Sequence, residues 1–233
     1  MKKKVLSLLL AVVMTFSLAV TANAAEETAQ DLDGDIVILH TNDVHGAISG
    51  YAKVAALKDA YEARGAYVLL MDAGDFIQGD PTVSTSEGAT AVELMNLAGY
   101  DVVSLGNHEF DRGPQFLEDC IAGCEFPVLC ANVHKKDGAP IAGTAPYTIL
   151  ERQGVKIGVL GLTTEYTPYM VEKSAFEAFE MAPAAQAAHR WVPQMRAEGA
   201  EVVVALTHMP FYVEENGAIS GEMHTLLGSM PGV

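Results

Sequence analysis

Basic residues are scarce in this chain. Only 14 Lys and Arg stand against 30 Asp and Glu in 233 residues, a formal net charge of -16. Nucleic acids and anionic membrane surfaces both need a positive patch, so this balance argues against either as a general partner. An anionic small molecule stays open as a substrate, because bound cations can invert the local field. Cysteine is scarce too, with Cys120, Cys124 and Cys130 the only three. Exported proteins usually pair their cysteines or omit them, and an odd count leaves at least one free thiol. Cys120 and Cys124 lie one helical turn apart, a spacing that suits a metal, but no second cluster accompanies them. The three therefore read as structural, with room for one disulfide. Internal repeats and low-complexity segments are absent, and 233 residues are too few for two comfortable domains.

One apolar run is long, and it sits at the start. "MKKK" is followed by "VLSLLLAVVMTFSLAV" and then "TANA", with Ala22 and Ala24 in a small-x-small pattern. This is the layout of a signal peptide over residues 1–24, cleaved after Ala24. The run is short for a stable span of about 20 residues. A mature protein that is exported without a membrane span is expected, whether secreted, periplasmic or in the cell envelope. Residues 25–34 read as a polar lead-in without periodicity.

The full chain is half hydrophobic and contains 21 glycines, enough for a sizeable core with many tight turns. Short β-branched runs alternate with longer amphipathic ones. "DIVILH", "AYVLLMD", "DVVSLG", "FPVLCAN", "KIGVLGL" and "EVVVALTH" predict buried strands. Helices are predicted over Tyr51–Arg64, Glu87–Leu97, Pro114–Ile121 and Pro183–Glu198, each followed by a glycine stop. The alternation predicts an α/β fold with a mostly parallel sheet. "YTILERQGVKIGVL" predicts instead a hairpin turning at Gln153–Gly154.

Ligands of such sheets gather beyond the carboxyl ends of the strands. Here those ends are polar in four places: Thr41–Asn42–Asp43–Val44–His45–Gly46, Asp72–Ala73–Gly74–Asp75, Gly106–Asn107–His108 and Thr207–His208. Carboxylate, imidazole and amide groups together suit divalent cations such as Zn, Mn, Fe or Mg. On an extended Asp43–Val44–His45 segment the two polar side chains would share one ion. Asp75, behind Gly74, could bridge to a second ion held by Asn107 and His208. His108 would then be free of metal, with Asp111 three residues on to orient its imidazole and stabilise its charge. Such a pair of ions can clamp a phosphate and activate water against it. His40 and Asn42 are expected to support the loop. Asp72 and Glu109 stand open between partners of the ligands and ordinary turn residues. His134, His189 and His224 are expected at the surface. Trp191 and Tyr166 are undecided between core and rim.

"ILHTNDVHG", "DAGDFIQGD", "GNHEFD" and "THM" resemble the calcineurin-like metallophosphoesterases, specifically the secreted 5'-nucleotidase and UDP-sugar hydrolase group, from about Asp35 to His208. The resemblance implies a four-layer α/β/β/α sandwich over residues 35–233 and two divalent metal ions. Asp43 and His45 would bind the first ion, Asp75 would bridge, and Asn107 and His208 would bind the second. His108 and Asp111 correspond to the family's catalytic dyad. The implied substrate is a nucleotide phosphomonoester, with 2',3'-cyclic nucleotides or UDP-sugars as alternatives on the same site. In that family a later Gly-Gly-His segment adds one ligand to each metal, and a C-terminal domain binds the nucleotide base. The chain stops at "LLGSMPGV", before either. The resemblance therefore implies a partial domain, incomplete at its C-terminus, and leaves open an inactive, weakly metal-binding fragment.

Overall fold

The computed structural model describes residues 31–230, so the expected signal peptide and most of the polar lead-in lie outside the described residues. Twelve strands are described: β1 (Ile36–Thr41), β2 (Tyr67–Asp72), β3 (Val102–Ser104), β4 (Val128–Leu129), β5 (Val133–Lys135), β6 (Thr144–Ala145), β7 (Tyr147–Arg152), β8 (Val155–Thr163), β9 (Phe179–Met181), β10 (Val202–His208), β11 (Tyr212–Val213) and β12 (Ile219–Ser220). The longer helices are α1 (Ser49–Glu62), α2 (Ala89–Ala98), α3 (Pro114–Ala122), α4 (Ala184–Ala197) and α5 (Glu222–Ser229). The first four match the predicted helices to within two residues at every end; α5 is not among those predicted. The "GDPTVSTSEG" stretch contains a further short helix, Pro81–Thr85, which Asp80 caps by accepting the Thr82 amide at 2.8 Å.

One sheet runs β1-β2-β3-β4-β6, all parallel, and a second runs β10-β8-β7. Strand period two divides the apolar residues among three layers of packing. Leu69, Met71, Val102 and Leu129 point from the first sheet toward Ile157, Val159 and Leu206 of the second. Their neighbours Leu70, Val103 and Val128 point the other way, onto Tyr51, Val92, Met95 and Leu117 of α1, α2 and α3. Leu160, Leu162 and Val203 back onto Ala188, Met195 and Leu226 of α4 and α5. The result is the α/β/β/α sandwich that the sequence resemblance implied.

The predicted hairpin is β7–β8, in register from Arg152 opposite Val155. Gln153 (φ 54°) and Gly154 (φ 76°) both take the left-handed conformation that a two-residue hairpin turn needs. "FPVLCAN" departs from expectation. Only Val128–Leu129 pairs in the first sheet; the Ala131 amide then donates to Gly161 O of the second sheet. Asn132 replaces the missing ladder there, its amide nitrogen donating to Thr163 O at 2.7 Å and its oxygen accepting the Thr163 amide at 2.9 Å. The segment crosses between sheets because a buried side-chain amide satisfies the backbone it leaves. The three cysteines are thiols, so no disulfide forms among them, and burial pushes Cys120 and Cys130 up to about 11 and Cys124 to about 12.

At Gly161 the two sheets approach each other closely. A Cβ there would lie 2.8 Å from the Leu129 carbonyl carbon and oxygen, inside the contact distance of real side chains. Gly161→Ala is expected to destabilise the fold by roughly 1–3 kcal/mol through overpacking, read as a lower urea midpoint with an unchanged slope.

Candidate metal centre

Strand β1 and strand β2 remain zipped together past their ends. Ala73 N donates to Thr41 O, Asp43 N to Gly74 O and His45 N to Asp75 O, at 2.9–3.1 Å. To hold that pairing around a tight bend, Asp43 (φ 52°), His45 (φ 46°) and Asp75 (φ 64°) all adopt left-handed backbone. The segment from Asp43 to His45 is therefore not extended, as the alternation argument had it; the two side chains converge because the backbone is bent. Left-handed residues with a Cβ cost about 1–3 kcal/mol each, and such strain gathers where function needs it. Gly74 allows the bend to be seated, since a Cβ on it would overlap the Gly106 amide at the end of β3.

Around this bend the predicted ligands meet. His45 Nε2 lies 3.3 Å from Asp43 Oδ1 and 3.8 Å from Asp75 Oδ2. His208 arrives from the other sheet, because β10 turns residues 204, 206 and 208 toward the sheet interface. Its Nε2 is 3.2 Å from the same Asp75 Oδ2, 3.9 Å from Asp43 Oδ1 and 3.1 Å from Asn107 Oδ1. Asp75 is 2% exposed, and both imidazoles address its one outer oxygen. His108 stands beside this group, its amide donating to Asp75 Oδ1 at 2.8 Å and its Nδ1–H to Asp111 Oδ2 at 2.7 Å. All seven residues singled out in the sequence thus share one place.

Ligating atoms of Asp43, Asp75 and His208 lie within 4.8 Å of one another. The polarity of the contacts shows that a cation fits there. His208 Nδ1–H donates to Ala73 O at 3.0 Å, which turns the Nε2 lone pair toward Asn107 Oδ1 and Asp75 Oδ2. Three acceptors facing one another repel unless a proton or a metal stands between them. Without metal the proton does: burial alone would lower the His208 pKa, but the hydrogen bond and charge of Asp75 raise it to about 9. Asn107 Nδ2 is buried with no partner, so the chain alone does not satisfy that amide.

The calcineurin-like phosphoesterase family profile matches residues 36–227. The chain belongs to the calcineurin-like phosphoesterases. It is 34% identical over 214 residues to Protein UshA of Yersinia enterocolitica and 31% identical over 201 residues to a snake venom 5'-nucleotidase of Gloydius brevicauda. These alignments cover 87% and 78% of this chain, and 39% and 34% of the relatives. The chain therefore spans less than half the length of the curated relatives it matches. Among solved structures it is similar to the calcineurin-like phosphoesterase YfkN of Bacillus subtilis, with TM-score 0.71 and 28% identity over 84% of this chain and 69% of that one. A 5'-nucleotidase precursor of Thermus thermophilus gives TM-score 0.66 and 30% identity over 73% of this chain and 36% of that one.

In this member of the family, Glu109 decides a question that the sequence left open. Its carboxylate is fully buried and accepts four backbone amides: Asp75 and Gly106 on Oε2 at 2.8 and 2.6 Å, Phe76 and Ile77 on Oε1 at 2.8 and 3.4 Å. Those amides belong to the loops after β2 and β3, so one side chain clamps both of the loops that carry Asp75 and Asn107. Burial first, then the charge of Asp75, pushes Glu109 up to about 7 against the pull of the amides. Asp72 plays the matching part behind β1, accepting Gly74 N and the Thr41 hydroxyl, and burial also raises it to about 7. No pattern in "GNHEFD" distinguishes Glu109 from a turn residue; only its position three residues after a Gly106 amide hints at it. Glu109→Gln replaces an acceptor oxygen with a second donor facing amides. It is expected to cost roughly 1–3 kcal/mol of stability and to weaken cation binding about 10–100-fold, read by denaturant titration and by Mn2+ calorimetry. The other undecided residues resolve plainly: Trp191 packs on Tyr147 with ring centroids 5.7 Å apart, whereas Tyr166 lies on the rim of the site.

Proposed function

We propose that this chain carries the catalytic centre of an exported, metal-dependent phosphoesterase of the 5'-nucleotidase type, which releases phosphate from nucleotide monoesters. The observation that supports it is the convergence of Asp43, His45, Asp75, Asn107 and His208 from the ends of four strands on one place, where both imidazoles face the outer oxygen of Asp75 and lie beside Asp43 or Asn107. Asp43 and His45 would hold one divalent cation and Asn107 and His208 a second, with Asp75 between them. Bound cations of the Zn or Mn kind supply Lewis acidity toward the phosphate and ease the ionisation of water. The protein's own groups do the rest. Asp75 is fixed by the His108 amide and the Glu109 clamp. Asp111 accepts Nδ1–H of His108, which leaves Nε2 to hold a proton for the departing ester oxygen. Burial lowers the His108 pKa, and the Asp111 hydrogen bond with the Asp75, Asp111 and Glu109 charges more than restores it, so the net shift is upward. That direction keeps the imidazole protonated to higher pH than an ordinary histidine. Among the described residues no helix is long and apolar enough to cross a membrane, and export rests on the leader pattern of residues 1–24. In the full-length protein a C-terminal nucleotide-binding domain belongs to the same proposal.

The test is a phosphate assay on purified protein with AMP. Treatment with EDTA should stop release, and Mn2+ or Zn2+ should restore it. An equal rate in chelator and in metal would remove the cations from the reaction.

A further inference from the structure

Three imidazoles stand at the metal centre, and they differ in what faces Nδ1. His208 Nδ1 meets Ala73 O at 3.0 Å, and His108 Nδ1 meets Asp111 Oδ2 at 2.7 Å. Both partners can only accept, so the neutral rings carry their proton on Nδ1 and leave Nε2 bare. His45 is the exception. Its Nδ1 faces the side-chain amide of Gln78, whose Nε2 lies 2.9 Å away. An NH₂ group donates, so Nδ1 of His45 accepts and the neutral ring places its proton on Nε2. There Asp43 Oδ1 lies 3.3 Å away and Asp75 Oδ2 3.8 Å away, two acceptors for that N–H. A protonated Nε2 has no lone pair for a cation. Binding one between His45, Asp43 and Asp75 needs the other tautomer, in which Gln78 has to accept. A primary amide manages this by turning over, which exchanges Nε2 for Oε1 in nearly the same place.

The backbone around Gln78 is fitted to His45. Before it, the Phe76 and Ile77 amides are tied to Glu109 Oε1, and the Ile77 side chain is buried. After it, Asp80 N donates to His45 O at 3.0 Å. Between them Gly79 (φ 117°) passes so close that a Cβ on it would overlap the His45 carbonyl. The segment from Phe76 to Asp80 therefore wraps His45, and half-buried Gln78 reaches the ring from it. His108 packs edge-on against the same ring, with centroids 5.4 Å apart, which restricts how far His45 can swing. With the ring confined, the side-chain amide is the part free to change its face.

We propose that Gln78 is a positioning residue for the first cation: its amide holds His45 as the Nε2–H tautomer in metal-free protein and, turned over, as the Nδ1–H tautomer when Nε2 ligates. In the exchange one proton leaves Nε2 for solvent and one enters at Nδ1, so the ring stays neutral. This inference rests on the two-cation reading above and deepens it. Binding the first ion becomes a joint rearrangement of His45 and Gln78, whereas a backbone carbonyl already sets the tautomer of His208 for the second.

Imidazole 15N NMR reads the tautomer without turnover. In metal-free wild type at mildly alkaline pH, Nδ1 of His45 should be the unprotonated nitrogen. With Zn2+, which is diamagnetic, the proton should be found on Nδ1. Gln78→Glu is nearly isosteric and offers only acceptors, so its His45 should carry the Nδ1 proton before any metal is added. Zinc calorimetry supplies the second readout. The binding event that His45→Ala removes should weaken about tenfold in Gln78→Leu, which can neither donate nor accept, and tighten in Gln78→Glu. The other event should move less in both. A metal-free wild type that already carries the Nδ1 proton on His45 overturns the exchange. A Gln78→Leu variant whose two binding events match wild type overturns the positioning role. Zinc that binds neither wild type nor any variant overturns the two-cation reading instead, while the tautomer of metal-free His45 still decides the Gln78 contact.

Discussion

Asp75→Asn should abolish cation-dependent turnover, with a fall of at least about 10³-fold, or ~4 kcal/mol of transition-state stabilisation. The substitution is nearly isosteric and leaves one oxygen to accept the His108 amide at 2.8 Å. It replaces the other oxygen, the one that His45 Nε2 and His208 Nε2 face at 3.8 and 3.2 Å, with an NH₂ that cannot ligate. It also removes the negative charge at the centre of the set. The fold should survive. Asp75 is held below the ordinary carboxylate range because the His208 hydrogen bond and charge outweigh its burial, and its charge is one cause of the upward push on Glu109. Neutralising it relieves Glu109 as it weakens His208. Mn2+ calorimetry should show the heat of binding lost, while urea denaturation of the metal-free variant stays close to that of metal-free wild type. A variant that still binds Mn2+ at wild-type affinity would contradict the central place given to Asp75.

The same buried carboxylates make the metal-free protein sensitive to pH. Asp72 and Glu109 are both raised to about 7, chiefly by burial. An acid whose folded pKa lies above its unfolded value contributes stability below the unfolded value, and loses it as pH rises through the folded one. Metal-free protein is therefore expected to weaken between about pH 4 and pH 7, from the ordinary carboxylate values to the raised ones, and a cation near Asp75 opposes that loss by compensating the charge.

Much of this centre was legible in the sequence because it depends on strand ends. A parallel strand must finish at one edge of the sheet, so Asp43, Asp75, Asn107 and His208 could be gathered on paper from the four apolar runs that precede them. His108 and Asp111 were legible as a local pair, three residues apart. What could not be read depends on contacts between distant segments. The left-handed backbone of Asp43, His45 and Asp75 is imposed by hydrogen bonds between two loops thirty residues apart in the chain, and none of the three is a glycine that would have announced it. Glu109 owes its role to four amides on two loops. "FPVLCAN" has the apolar character of one strand but crosses between sheets, because Asn132 pairs with Thr163 in the other half of the sandwich. Tyr166 carries no sequence signal that tells rim from core; its place follows from where β8 ends.

His108→Ala should lower kcat for AMP by about 10²–10⁴-fold, the usual contribution of a positioned proton donor, while leaving Mn2+ affinity within a few-fold of wild type. The imidazole holds no place among the facing ligand atoms. Its Nδ1 is engaged with Asp111, and its backbone amide, which alanine keeps, is what steadies Asp75. The size of the effect should depend on the leaving group. A nucleoside 5'-oxygen departs as a strongly basic alkoxide and needs the proton, whereas p-nitrophenolate does not. The alanine variant should therefore lose far more activity on AMP than on p-nitrophenyl phosphate. Equal losses on both would mean that His108 stabilises charge on the phosphoryl group and gives no proton. Asp111→Asn separates orientation from chemistry. It keeps a side chain beside Nδ1 but removes the charge that helps raise the His108 pKa. The alkaline limb of the rate profile should then move to lower pH, since the protonated imidazole is lost sooner, with a smaller fall in kcat at its optimum than removal of the ring produces.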